Sequence, residues 1–265
     1  MKVVAIANQK GGVGKTTTAV NLSAALAQRG HQTLLMDLDP QANATSGLGI
    51  DADADATLYP VLVGRKAAAD QITDTRIENL AIIPSAMDLS GAEIELARGE
   101  NHLTRLAEVL DPLRGSQRYE YCLIDTPPSL GVLMTSALAA AEEVVIPLQC
   151  EWYGLEGLAK IVHVIDQIRD SGVSPKVKIE GIVMTMFDGR TRLSRQVVEE
   201  VAGYFPDQLY QTVIPRSVRI GEAPSHGLTI FEHDPQGSGA VSYSKLADEF
   251  LVRRTVSGPL LAEDK

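Results

Sequence analysis

Short apolar runs alternate with longer amphipathic stretches along the whole chain. The runs Val3–Ala7, Thr33–Met36, Leu80–Ile83, Tyr121–Ile124, Val144–Leu148 and Ile179–Met186 are apolar at nearly every position. A strand with one wet face alternates, whereas a strand covered on both faces need not. These runs therefore predict buried strands, and a shorter strand is expected at Thr212–Ile214. Between them, apolar residues recur at helical spacing. Thr16–Gln28 reads as a helix that stops at Arg29-Gly30. Gly154–Arg169 places Leu155, Leu158, Ile161, Val162, Ile165 and Ile168 on one face, and Leu193–Tyr204 and Tyr243–Val252 read as further helices. Strand–helix alternation from end to end predicts an α/β fold, a doubly wound and mostly parallel twisted sheet with helices on both faces. No repeat or long linker interrupts the pattern, so residues 1–257 are expected to form one domain and residues 258–265 a flexible tail.

The first strand runs straight into Lys10-Gly11-Gly12-Val13-Gly14-Lys15-Thr16-Thr17. A strand, a glycine-rich turn and then Gly-Lys-Thr is a phosphate-binding loop. Glycines let backbone N–H groups turn inward around phosphate oxygens, and the following helix points its positive end at them. Lys15 is placed to reach the β- and γ-phosphates, and the Thr16 hydroxyl to ligate Mg²⁺. The common pattern has a glycine where this chain has Gln9, and an extra lysine, Lys10, precedes the cradle.

A second Mg²⁺ anchor is expected as an aspartate at the end of a neighbouring strand. Cys122-Leu123-Ile124-Asp125 supplies it, followed by the stiff turn Thr126-Pro127-Pro128-Ser129. Met36-Asp37-Leu38-Asp39-Pro40-Gln41 adds two carboxylates on one side of an extended segment. Thr16, Asp39 and Asp125 form the candidate metal set, with Asp37 either nearer the metal or structural. No Asn-Lys-x-Asp guanine motif follows the Ile179–Met186 run, which favours adenine.

Composition narrows the setting. The 265 residues are 45% apolar, enough for a continuous core, and carry a net charge of −10. That balance opposes non-specific nucleic-acid binding unless arginines cluster locally. Cys122 and Cys150 are too few for a disulfide framework and read as small buried hydrophobes. No signal peptide or membrane-spanning run is evident, so a cytoplasmic location is expected. Asp51-Ala52-Asp53-Ala54-Asp55 lacks the glycine and distal glutamate of a calcium loop and reads as a solvated turn. The five histidines show no metal spacing.

The Lys10–Thr16 loop resembles the deviant phosphate loop of the ParA/MinD/nitrogenase-iron-protein ATPases. Further blocks resemble the small chromosomal ParA proteins called Soj: Asp37–Gln41, Asn43–Gly49, Asp125–Ser129, Glu151–Gly157, Thr185–Thr191, Ile214–Arg219 and Glu222–Gly227. The resemblance implies a DNA-segregation ATPase that uses ATP and Mg²⁺. Two subunits would sandwich two ATP molecules, with Lys10 touching the phosphates of the other subunit. It implies Lys10, Lys15 and Asp39 as the catalytic set, with Asp39 positioning the attacking water. Nucleotide contacts are implied at Lys10, Gly11, Gly12, Val13, Gly14, Lys15, Thr16 and Thr17, and at Pro215 and Ser217 for the base. The ATP homodimer would coat double-stranded DNA without sequence preference through Arg190 and Arg219, with Arg216, Arg192 and Arg195 nearby. A ParB/Spo0J-type centromere-binding partner would stimulate hydrolysis and release, on the nucleoid. Trp152 and Tyr153 are expected at a dimer interface or in the core. Because the chain opens on its first strand, no operator-reading helix-turn-helix is expected before it. A MinD-like membrane-associated ATPase, or a ParA-like positioner of another cargo, shares the nucleotide site. The tail shows no basic amphipathic helix, so no membrane is expected.

Overall fold

The computed structural model describes residues 1–52, 56–99 and 101–256. The tail expected at 258–265 and part of the Asp51–Asp55 turn lie outside the described residues. Seven strands form one sheet in the order β3-β4-β2-β5-β1-β6-β7. They are β1 (Lys2–Ile6), β2 (Thr33–Asp37), β3 (Thr73–Asp74), β4 (Leu80–Ile83), β5 (Tyr121–Asp125), β6 (Glu143–Gln149) and β7 (Lys178–Thr185). All pairs are parallel except the short edge pair β3–β4. Every one of the six long apolar runs is a strand, displaced by at most one residue at either end.

Helices cover both faces. In chain order they are α1 (Lys15–Gln28), α2 (Asn43–Gly47), α3 (Tyr59–Leu62), α4 (Leu89–Ala97), α5 (Arg105–Gly115), α6 (Val132–Ala140), α7 (Trp152–Asp170), α8 (Arg192–Tyr204), α9 (Val218–Glu222), α10 (Ile230–His233) and α11 (Ser238–Val256). Alternate residues of each strand feed two cores. Val3, Ala5, Leu34 and Met36 pack with α4 to α8, whereas Val4, Ile6 and Leu35 pack with α1 and α11. Both faces of each central strand are therefore dry, which is why its sequence shows no alternation.

The strand expected at Thr212–Ile214 does not form. The segment touches β7 through single bonds, Ile214 N–H to Met184 O at 2.8 Å and Phe187 N–H to Ile214 O at 3.0 Å. Pro215 then has no N–H with which to continue a ladder. At the opposite end of the sheet, a cavity of about 820 Å³ opens among Lys2, Glu143, Lys178, Glu180 and Arg254.

The strand order reverses beside β1, whose neighbours are β5 and β6. A crevice opens at such a point, at the carboxyl ends of the strands, and ligands bind there in open α/β sheets. The glycine turn leaves β1 at this place.

Candidate functional site

Gly12 and Gly14 adopt φ of +72° and +88°, where a side chain would be strained. Gly14 caps α1, whose first turn carries no acidic residue, so its free N–H groups and positive end face the crevice. Two side chains fix the turn. Thr185, ending β7, donates its hydroxyl to Val13 O at 2.8 Å. Asn8 donates Nδ2 to Pro147 O at 2.9 Å and accepts the Lys10 N–H on Oδ1 at 3.0 Å. The result is a preformed concavity of backbone donors suited to anions.

Lys15 is buried, and its Nζ donates to Lys10 O at 3.1 Å. Burial lowers its pKa, while the carboxyls of Asp125 and Asp39 pull it back up. Asp125 ends β5, in register with Ile6 on one side and Asp37 on the other. It is wholly buried, and no hydrogen bond of good geometry reaches either carboxyl oxygen among the described residues, although the Thr16 hydroxyl is close enough to act on it. Burial drives its pKa well up and the Asp37 charge adds to this, against the pull of Thr16 and Lys15. A buried, unpartnered carboxyl beside a hydroxyl suits a hard divalent cation. No three His, Cys, Asp or Glu side chains among the described residues cluster to hold a metal by themselves. Mg²⁺ fits such a place, because it keeps water and phosphate oxygens and needs only one or two carboxylates.

The two aspartates of the second strand differ sharply. Asp37 accepts from Thr45 N–H at 2.9 Å, Thr45 Oγ1 at 2.7 Å and Asp39 N–H at 3.2 Å. Burial still raises its pKa to about 6. With three donors it acts as a strut that holds α2 beneath the crevice. Asp39 accepts only the Gln41 N–H, on Oδ1 at 2.9 Å, which leaves Oδ2 without a donor among the described residues.

Lys10 points along the outside of the loop, its Nζ 3.3 Å from Glu151 Oε2 at the start of α7. Trp152 and Tyr153 follow and are 70% and 73% exposed. The expectation of core packing for this pair is therefore wrong, since the helix turns them away from the sheet.

A pocket of about 250 Å³ lies on the other flank of the turn, lined by Gly14, Thr185, Met186, Pro215, Ser217 and Ile220. Tyr243 of α11 closes it and hydrogen-bonds Thr18 at 3.3 Å. Its size and mostly apolar wall suit a planar base. Arg190 and Arg219 stand further out, 90% and 62% exposed at their side chains. Arg216, Arg192 and Arg195 are exposed beside them. The structure thus brings Lys10 to Thr17, Asp39, Asp125, Pro215 and Ser217 to one crevice, sets Arg216 at the base pocket and leaves all five arginines exposed. Sequence reasoning missed Thr45, Thr185, Glu151, Met186 and Ile220. Thr185 and Glu151 act on residues distant in the chain, Thr45 bonds Asp37 eight positions back, and Met186 and Ile220 only line the base pocket, so no local spacing marks their roles.

A glycine turn ending in Gly-Lys-Thr at the end of a central parallel strand, facing a buried aspartate, defines a phosphate-loop nucleotide-binding protein. Residues 1–179 match the family model described as an AAA domain. The chain is 50% identical over 249 residues to the sporulation initiation inhibitor protein Soj of Bacillus subtilis, covering 94% of this chain and 97% of that protein. It is 47% identical over 259 residues to the chromosome partitioning protein ParA of Myxococcus xanthus, covering 97% and 90%. Its fold superposes on cobyrinic acid a,c-diamide synthase of Mycobacterium smegmatis, solved with ADP and magnesium, with a TM-score of 0.83, 34% identity and coverage of 98% and 97%. The chain belongs to the ParA/Soj family of chromosome-partitioning ATPases. Among the described residues, no helix is long and apolar enough to cross a membrane.

Proposed function

We propose that the chain is an ATP-driven DNA-segregation switch, and that the unpartnered Asp125 carboxyl facing Lys15 across the glycine turn is the observation that carries this reading. Backbone N–H groups from Gly11 to Thr17 and the Lys15 amine hold the triphosphate, and the base enters the pocket at Pro215 and Ser217. Thr16 and Asp125, with Asp39 close by, would hold Mg²⁺, which when bound would offset the charge of the phosphates. Asp39 keeps a carboxylate oxygen available to orient water for attack on the γ-phosphoryl group, yielding ADP and phosphate. Little covalent chemistry is asked of the protein, so positioning and charge carry the rate.

Lys10 leaves Glu151 and reaches the phosphates of a second subunit, closing a homodimer on two ATP molecules. Trp152 and Tyr153, exposed next to Glu151, are placed to be covered in that step. The dimer binds double-stranded DNA without sequence preference through Arg190, Arg216 and Arg219. Doubling a weak patch raises its effective affinity, and so couples nucleotide state to DNA. A ParB/Spo0J-type partner stimulates hydrolysis, and the separated subunits leave the nucleoid.

Co-sedimentation with DNA without nucleotide, with ADP and with ATP tests this reading. Retention is expected only with ATP, with loss in Arg219→Glu and a steep fall with salt. Equal retention in all three nucleotide states would refute it.

A further inference from the structure

The candidate DNA arginines are not bare. Asp188 takes Arg190 in a fork, Nε to Oδ1 at 2.9 Å and Nη2 to Oδ2 at 2.8 Å, and also accepts the Arg190 N–H at 3.0 Å. Arg216 acts on the same carboxylate through its charge, and together these hold the Asp188 pKa down at about 2. On α9, Arg219 Nη1 lies 3.1 Å from Glu222 Oε2, and His233 Nε2 lies 3.6 Å from that oxygen. Phe187 N–H donates to Ile214 O and Arg216 N–H to Phe187 O, both at 3.0 Å, so the Asp188–Arg190 turn lies beside the segment leading into α9.

An arginine offers a carboxylate and a phosphate the same two-pronged donor edge. Exposed pairs of this kind contribute little to folding. Glu222, partly exposed, therefore does little for the fold, whereas Asp188 also shapes its turn by accepting the Arg190 N–H; each occupies donors that a phosphate would use and repels the phosphate itself.

Resting on the DNA reading above, we propose that Asp188 and Glu222 are built-in competitors of DNA phosphate, which hold the affinity of a single arginine patch low. DNA must displace each arginine from its carboxylate, and Arg190, exposed along most of its length, swings outward while the backbone bond keeps Asp188 in place. One patch alone then stays off DNA, and only the doubled patch of a dimer stays on.

The test is anisotropy of a short labelled duplex of arbitrary sequence, titrated with wild type, Asp188→Asn, Glu222→Gln and Arg219→Glu in ATP and in ADP over a range of salt. Each neutralised carboxylate is expected to tighten binding about tenfold, steepen the salt dependence by roughly one phosphate contact per subunit, and produce measurable binding in ADP. A purely structural role would leave the salt slope unchanged. Should Asp188→Asn lower the melting temperature, Glu222→Gln decides, since it lies on an exposed helix outside that turn. If wild type binds only in ATP and Arg219→Glu abolishes binding, yet neither neutral variant gains affinity, the competitor role is overturned and the DNA reading stands. If wild type shows no ATP-dependent binding, both fall.

Discussion

Lys15 and Asp125 show how much of the site a single residue can announce. Lys15 was legible because glycine spacing after an apolar run has few other uses. Asp125 was legible because an acid ending a buried strand meets the glycine turn wherever the two strands are neighbours. Thr45 was not, because its value lies in holding Asp37, and nothing between the two residues marks that bond. Lys15→Ala should abolish ATP binding in calorimetry, with the far-UV signal of the folded protein retained. The two thiols give a second expectation. Burial pushes both Cys122 and Cys150 up to about 12, so the thiolate is scarce at neutral pH. Iodoacetamide at mildly alkaline pH should leave both unlabelled in the native protein and label both once it is unfolded. Rapid native labelling would contradict their burial.

At the scale of elements, strands were easier to read than helices. A strand covered on both faces is a dense apolar run, whereas α6, buried almost throughout, is apolar all round and so lacks a periodic signature. The short α2, α9 and α10 owe their form to what they pack against. Helix α9 has the most direct functional position. Its Ile220 and Gly221 line the base pocket while Arg219, just before them, faces out. On the proposed reading, base and DNA would meet two sides of the same five-residue helix. Helix α11 is anchored at the other end of the sheet, where Arg254 pairs with Glu143 and with Glu180, the latter at 3.2 Å. Both carboxylates are nearly buried, and burial raises the Glu180 pKa while Arg254 pulls it down. Arg254→Ala would take the guanidinium from both acids, leaving Glu143 to Lys2 and Lys178 and Glu180 to the Tyr210 hydroxyl, and a loss of about 2 kcal/mol is expected in urea unfolding. A loss under about 0.5 kcal/mol would show that the network is merely a solvated surface cluster.

The whole molecule presents a nucleotide crevice, an outward lysine and exposed arginines on one chain of net charge −10. The fold class was legible because every level of the pattern agreed on it. Less legible was the restraint in the free chain: Lys10 rests on Glu151, Arg190 on Asp188 and Arg219 on Glu222. Three of the four basic groups assigned to work outside the chain are held by acids within it. Asp39→Ala should bind ATP, fail to turn it over and accumulate as a closed dimer. Lys10→Ala should bind ATP as a monomer. Sedimentation velocity of Asp39→Ala in saturating Mg-ATP, beside the same variant carrying Lys10→Ala, tests the account most directly. A dimer in the first and a monomer in the second are predicted; a monomer in both, or a dimer that survives loss of Lys10, would contradict it.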